Sequence, residues 1–106
     1  MTNENCTVDL GQLNSPILVG RDNGLKAREA LGIDRLSQEC DLVNIHVPDK
    51  IYSINSSFFL EMFRNAIAAA RTEAAFFEKY QFDASTSIQK TIRINVARAL
   101  REAQRV

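Results

Sequence analysis

The strongest hydrophobic pattern lies in the middle of the chain, where apolar residues recur at steps of three and four positions. This spacing places them along one face of an α-helix. Asn55 and Ser56 stand just before the pattern as helix caps. We therefore expect a helix over Ser56–Ala70, with an apolar face formed by Phe59, Met62, Phe63, Ala66, Ile67 and Ala70.

The clearest strand signal is strict alternation at residues 42–47. Val43, Ile45 and Val47 share one face there, and Pro48 ends the strand. Two shorter apolar runs, residues 6–10 and 16–19, are separated by a stretch typical of a turn. We expect these two runs to form a β-hairpin.

The remaining segments carry helical spacing with one brief strand between them. A cap at Asp22 or Asn23 and a stop at Gly32 bound the first of these helices. The other expected elements are short helices at residues 34–39 and 72–80, a strand at 80–82 and a long helix at 87–104. This order predicts one α/β domain over residues 1–106, with helices packed on a mixed sheet.

The charge balance of the chain argues against a nucleic-acid-binding or membrane-binding protein. The chain has 13 Lys and Arg against 13 Asp and Glu, so its overall field does not favour a nucleic-acid or anionic-membrane partner. The last helix carries several arginines, but Glu102 interrupts them and no aromatic residue is interleaved for base stacking. We interpret these side chains as a solvated helix face: Arg93, Arg98, Arg101 and Arg105.

Cysteine and histidine usage argues against a metal site or an enzyme. Cys6 and Cys40 form no close-spaced motif, and we interpret them as reduced thiols. His46 is the single histidine and would lie within a strand, so a nucleophile–histidine pair is not expected. Residues 1–5 lack the layout of a signal peptide, and no apolar run is long enough to cross a bilayer. We expect a cytoplasmic protein without metal or cofactor.

The segment at residues 20–24 lies between a predicted strand and a predicted helix, where phosphate-binding loops also occur. It lacks the P-loop lysine and the third glycine of a dinucleotide-binding loop. One interpretation is a turn with positive φ at Gly20 and Gly24. The alternative is an anion or small-ligand site formed by Arg21, Gly24 and Arg28, and Arg28 could equally form a local ion pair.

Hydroxyl side chains are concentrated at the start of the strongest predicted helix, in residues 51–59. Asn55 or Ser56 would satisfy free amides there as an ordinary cap. A phosphoryl group on Ser56 or Ser57 would also meet free amides and the positive end of the helix dipole. It would add about −2 charge to a surface that a partner must bury. Both interpretations rest on the same physics.

The strand at residues 42–47, together with the helix start at residues 51–58, resembles the core of STAS domains, the sulfate-transporter and anti-sigma-factor-antagonist domains. Residues 20–28 and 54–63 are similar to a bacterial STAS-like family of unknown function. The resemblance spans roughly residues 8–96. It implies a mixed sheet of four or five strands with helices mainly on one side.

The resemblance also implies partner switching. In anti-sigma-factor antagonists, a kinase of the histidine-kinase-like ATPase fold phosphorylates a serine at the helix start, and the antagonist then loses its partner. Position by position, Ser56 matches that serine, Ser57 the next hydroxyl and Asn55 the motif's aspartate. The chain departs from the motif at Asn55, which is uncharged, and at Phe58, which replaces a glycine and is either core or a partner-facing anchor.

We therefore expect a non-enzymatic regulatory module that binds a protein partner through Asn55, Ser56, Ser57 and Phe58. A histidine-kinase-like ATPase or another regulator is the expected partner, with Ser56 or Ser57 as the phosphorylated residue. The alternative is a domain that senses a small ligand or nucleotide through residues 20–28. A membrane partner is not expected, nucleic acid is disfavoured, and a homodimer stays open.

Overall fold

The computed structural model describes residues 5–103, which form five strands and five α-helices. The strands are β1 (Asn5–Asp9), β2 (Ile17–Leu18), β3 (Leu42–His46), β4 (Ser53–Ile54) and β5 (Tyr80–Asp83). The helices are α1 (Arg21–Leu31), α2 (Ile33–Glu39), α3 (Ser56–Ala70), α4 (Glu73–Lys79) and α5 (Thr86–Ala103). The predicted α/β class is confirmed, and the helix expected at Ser56–Ala70 has those bounds. Arg105 and residues 1–4 lie outside the described residues.

The strands form two small sheets. One has the order β1-β3-β5 and the other pairs β2 with β4, and every pair within residues 5–103 is parallel. The expected single mixed sheet of four or five strands is therefore not what the described chain forms. Parallel neighbours require a crossover between them, and here the helices following β2 and β4, which are α1 to α4, occupy most of the intervening chain.

The predicted hairpin between residues 6–10 and 16–19 is wrong. After β1 the chain enters a short 3-10 turn at Leu10–Leu13, which Asp9 caps by accepting a hydrogen bond from the Gly11 amide at 2.8 Å. Asn14 follows in the left-handed region at φ 55°. Turn-forming residues were recognised correctly, but they do not pair the two runs with each other, since each pairs with a strand from much later in the chain.

The three-stranded sheet has one apolar and one polar face. Val43 and Ile45 on the central strand are fully buried. The opposite face carries Thr7, Asn44 and Gln81 in one row of register partners, with Thr7 and Gln81 exposed. We call the opposite face of this sheet the bare face.

An aromatic cluster joins α3 to α4 and β5 beneath the apolar face. The Phe63 ring lies edge-on to Phe76 at 6.1 Å and to Tyr80 at 5.6 Å between centroids, and Phe59 lies 5.0 Å from Phe63. These four rings are at most 1% exposed. Aromatic residues bury the largest areas per side chain, so this cluster contributes to the hydrophobic stabilisation of α3.

Gly24 sets how closely α1 approaches α3. It is buried inside α1, and a Cβ built on it would lie 2.5 Å from the carbonyl oxygen of Phe58 and 3.1 Å from the Cβ of Glu61. The expectation of positive φ is confirmed for Gly20, at 95°, and is wrong for Gly24, which is helical. Glycine is required at position 24 because the backbone of a neighbouring helix leaves no room for a side chain.

A disulfide joins Cys6 on β1 to Cys40, which immediately follows α2. The interpretation of these residues as reduced thiols is therefore wrong. Sequence spacing could not reveal the pair, because the 34-residue separation closes only when β1 pairs with β3. Disulfides form mainly in oxidising compartments, so cysteine usage no longer supports a cytoplasmic location. No helix among the described residues is long and apolar enough to cross a membrane.

We expect Gly24→Ala to lower the free energy of unfolding by about 1–3 kcal/mol, because the added methyl must push α1 away from α3. Urea denaturation followed by circular dichroism measures this change. Lys26→Ala, at an exposed position on the same helix, is the control and should change stability by no more than about 0.5 kcal/mol. Equal stability of Gly24→Ala and wild type would contradict the close approach.

Reducing the disulfide should lower the free energy of unfolding by about 3–4 kcal/mol, the loop-entropy expectation for a closed loop of this length. The measurement is urea denaturation with and without a dithiol reductant. The double variant Cys6→Ser, Cys40→Ser cannot form the bond, so with and without reductant its free energy of unfolding should equal that of the reduced wild-type protein. A wild-type transition that does not respond to complete reduction would show that the bond contributes nothing to stability.

Candidate functional site

Two strand-to-helix junctions lie side by side. β2 leads into α1 and β4 leads into α3, and the two strands are parallel neighbours in register. The Asn55 amide donates to the carbonyl oxygen of Leu18 at 2.8 Å, which extends this pairing to the junctions themselves. Both helices therefore begin at the carboxyl edge of the same small sheet, the position where α/β proteins commonly bind ligands.

Asn55 is the cap of α3 and also ties the two junctions together. Its side-chain oxygen accepts hydrogen bonds from the Phe58 amide at 3.0 Å and from the Gly20 amide at 3.3 Å. The predicted capping role is confirmed. An uncharged amide is sufficient for this role because only the oxygen is used.

Ser56 and Ser57 have different surroundings although they are adjacent. Ser56 is half-buried, and its hydroxyl donates to the Oδ1 atom of Asn95 on α5 at 2.9 Å. Ser57 is exposed, and its side chain makes no hydrogen bond within residues 5–103. A modifying enzyme would thus reach Ser57 directly, whereas Ser56 must first release Asn95.

Asn95 is a site residue that the sequence analysis missed. It is 2% exposed, and its Nδ2 atom has no hydrogen-bond partner in the described chain. A buried amide without a partner is uncommon in proteins. The available signal was its position, three residues after Ile92 and directly before Val96, which places a polar side chain on the apolar face of the last helix.

Phe58 belongs to the core. It is 2% exposed, and its backbone lies against Gly24 of α1. Of the two interpretations of this residue, core packing is the one observed. Its ring offers no surface to a partner, which corrects its inclusion among the partner-binding residues.

Arg21, Gly24 and Arg28 do not form a loop that could surround an anion. α1 begins at Arg21, so all three lie on a helix, with Gly24 facing α3. Arg28 donates to the carbonyl oxygen of Glu61 at 3.1 Å and lies 3.7 Å from the carboxylate of Asp34. Arg28 is therefore engaged in contacts within the protein, and Arg21 is the exposed one of the two arginines.

Large apolar side chains are exposed around the start of α3. The described chain exposes four of them: Ile17 (50%), Val19 (42%), Tyr52 (76%) and Ile94 (49%). Ile17 and Val19 lie on or next to β2, Tyr52 directly precedes β4, and Ile94 precedes Asn95. We call these four side chains the apolar patch. Single exposed apolar residues are ordinary, and what these four share is their closeness along the chain to residues that form the α3 start or hydrogen-bond to it.

Two further polar pairs lie away from the start of α3. His46 contacts Asp83 through Nδ1 at 2.8 Å, at the carboxyl ends of β3 and β5. Tyr80 contacts the Ser37 hydroxyl, and burial together with the nearby negative charge of Asp34 raises the pKa of Tyr80 to about 12. No group of three metal-ligating side chains occurs in the part of the chain that the structure describes.

Comparisons with protein-family models, curated proteins and solved structures find no match for this chain.

Replacing Asn55 with alanine should lower the free energy of unfolding by about 1 kcal/mol, because the Phe58 and Gly20 amides both lose their acceptor. Asn55→Asp keeps the oxygen and should restore stability to within about 0.5 kcal/mol of wild type. Urea denaturation of the three proteins tests this. Equal stability of Asn55→Ala and Asn55→Asp would show that the shared acceptor is unimportant.

Proposed function

We propose that this protein is a non-enzymatic regulatory module that binds a protein partner at the start of α3. The observation that carries this proposal is the apolar patch. Its members come from three separate parts of the chain, on or directly after β2, before β4 and on α5, and each lies within a few positions along the chain of a residue at the α3 start or hydrogen-bonded to it. Burying such side chains against a partner is favourable because it removes apolar area from water.

Tyr52 is the expected anchor of the partner contact. It is the most exposed of the four apolar side chains, and tyrosine is among the residue types enriched at energetic centres of interfaces. The neighbouring backbone is held in place, because the Tyr52 amide donates to the carbonyl oxygen of Pro16 at 2.7 Å. A rigid backbone lowers the entropy lost when the side chain is immobilised.

Ser57 places a switchable charge beside this surface. It is exposed in the first turn of α3, and the first turn of this helix has no acidic residue. Phosphorylation would add about −2 charge to a surface whose partner must desolvate it, which weakens binding. The resemblance to anti-sigma-factor antagonists supports regulation of this kind, with a histidine-kinase-like ATPase or another regulator as the partner, although that resemblance points to Ser56 as the modified residue.

Tyr52→Ala should weaken partner binding about thirtyfold or more, the loss expected of an interface anchor. The partner is first captured by wild-type protein from lysate of the native host and identified by mass spectrometry. Its dissociation constant is then measured with purified proteins by calorimetry. Ile17→Ser should also weaken binding, and Ser57→Asp should do so if charge controls the contact.

The matched controls are Thr7→Ala and Gln81→Ala, which alter exposed residues on the bare face. Both should bind the partner as wild type does. If the bare-face variants lose the partner and the patch variants keep it, the proposed surface is wrong. If wild type dimerises in sedimentation experiments and Tyr52→Ala does not, the patch is a contact between copies of this chain, and the proposal of a different protein partner is overturned.

A further inference from the structure

We propose that this protein forms a homodimer in which β1 pairs antiparallel with β1 of a second copy. The two three-stranded sheets then join into one continuous sheet across a twofold axis. β1 carries none of the side chains of the apolar patch, so this inference is independent of the proposed partner binding. The observation that carries it is the open backbone edge of β1, in a chain that covers the edges of β2 and β5 with its own side chains.

The hydrogen bonds of the sheet determine which backbone groups of β1 face away from it. Successive residues of a strand direct their N–H and C=O groups alternately to the two neighbouring strands. The Val47 amide donates to the carbonyl oxygen of Asp83 at 2.8 Å, so Val47 and Ile45, two positions earlier, face β5. Asn44 therefore faces β1, and its register partner Thr7 directs its own backbone groups away from β3.

The outer side of β1 is an unpaired strand edge. The N–H and C=O groups of Thr7 have no hydrogen-bond partner within residues 5–103, and by the same alternation Asn5 and the amide of Asp9 face this side. β1 contains neither proline nor lysine, the residues that commonly prevent strand addition at an edge. An unpaired row of N–H and C=O groups is a template for a further strand, so β1 can accept one.

The edges of β2 and β5 differ from that of β1, because side chains occupy their outward-facing groups. On β2, the Ser15 hydroxyl donates to the carbonyl oxygen of Ile17 at 2.8 Å and accepts from the Ile17 amide at 3.4 Å. On β5, the Gln89 side chain of α5 donates to the carbonyl oxygens of Phe82 and Ala84 at 3.4 and 3.0 Å. The chain thus supplies substitutes for a neighbouring strand at these two edges and supplies none at β1.

A second copy of β1 is the strand that fits this edge. In an antiparallel pair centred on Thr7, each Thr7 amide donates to the Thr7 carbonyl oxygen of the other copy, and Asn5 lies opposite Asp9. No like charges then face each other, and the two threonine side chains form a favourable cross-strand pair on the bare face. Because the chain has 13 basic and 13 acidic residues, net charge does not keep two copies apart.

Sedimentation equilibrium of the full chain tests the dimer. Thr7→Lys and Thr7→Glu should each weaken dimerisation about tenfold, because the twofold axis places two like charges opposite each other. An equimolar mixture of the two variants should restore dimerisation, since the mixed dimer pairs opposite charges. Gln81→Lys and Gln81→Glu are the matched controls, at an exposed position of β5 on the same face, and should dimerise as wild type does. Circular dichroism verifies that each variant is folded.

Amide hydrogen exchange locates the contact. The Thr7 amide should exchange about tenfold more slowly in the dimer than in dilute monomer, whereas the Val8 amide, which faces β3, should not change. Tyr52→Ala should dimerise as wild type does, which separates this contact from self-association through the apolar patch. A wild-type chain that stays monomeric at about 1 mM overturns the proposal. So does a dimer that both Thr7 variants leave intact, that their mixture does not restore, or that Tyr52→Ala abolishes.

Discussion

The close approach of α1 to α3 at Gly24 is the constraint on which the rest of the site depends. Without a side chain there, the carbonyl oxygen of Phe58 lies where a Cβ would otherwise be. Next to this approach β2 and β4 pair directly, and their pairing brings the two helix starts to one edge. Asn55 can then serve both junctions with a single oxygen.

That arrangement explains why adjacent residues at the start of α3 have different surroundings. Phe58 is buried in the core and anchors the first turn of α3. Ser57, next to it on α3, and Tyr52, which precedes β4, are exposed to solvent. Ser56 lies between these environments and connects the surface to the buried Asn95. A charge added at either serine would thus act on a different neighbour, the partner surface for Ser57 and α5 for Ser56.

Local patterns predicted the elements well and the pairings poorly. The spacing from Phe59 to Ala70 predicted α3 with its bounds, and Asn55 was recognised as a cap, because both depend on residues within a few positions. The hairpin was wrong because register partners of β1 lie more than 30 residues away. The Cys6–Cys40 bond depends on that same pairing, so no local signal could reveal it.

The sequence by itself determined the α/β class, the positions of the main helices and strands, and the hydroxyl-rich start of α3. These properties follow from side-chain periodicity and capping, which act over one or two turns. Tertiary structure alone decided that Phe58 is core, that Arg28 is engaged inward and that Asn95 meets Ser56. Each of these depends on contacts between residues 33 or more positions apart, or on burial that several elements create together, and such contacts leave no periodic signal in the chain.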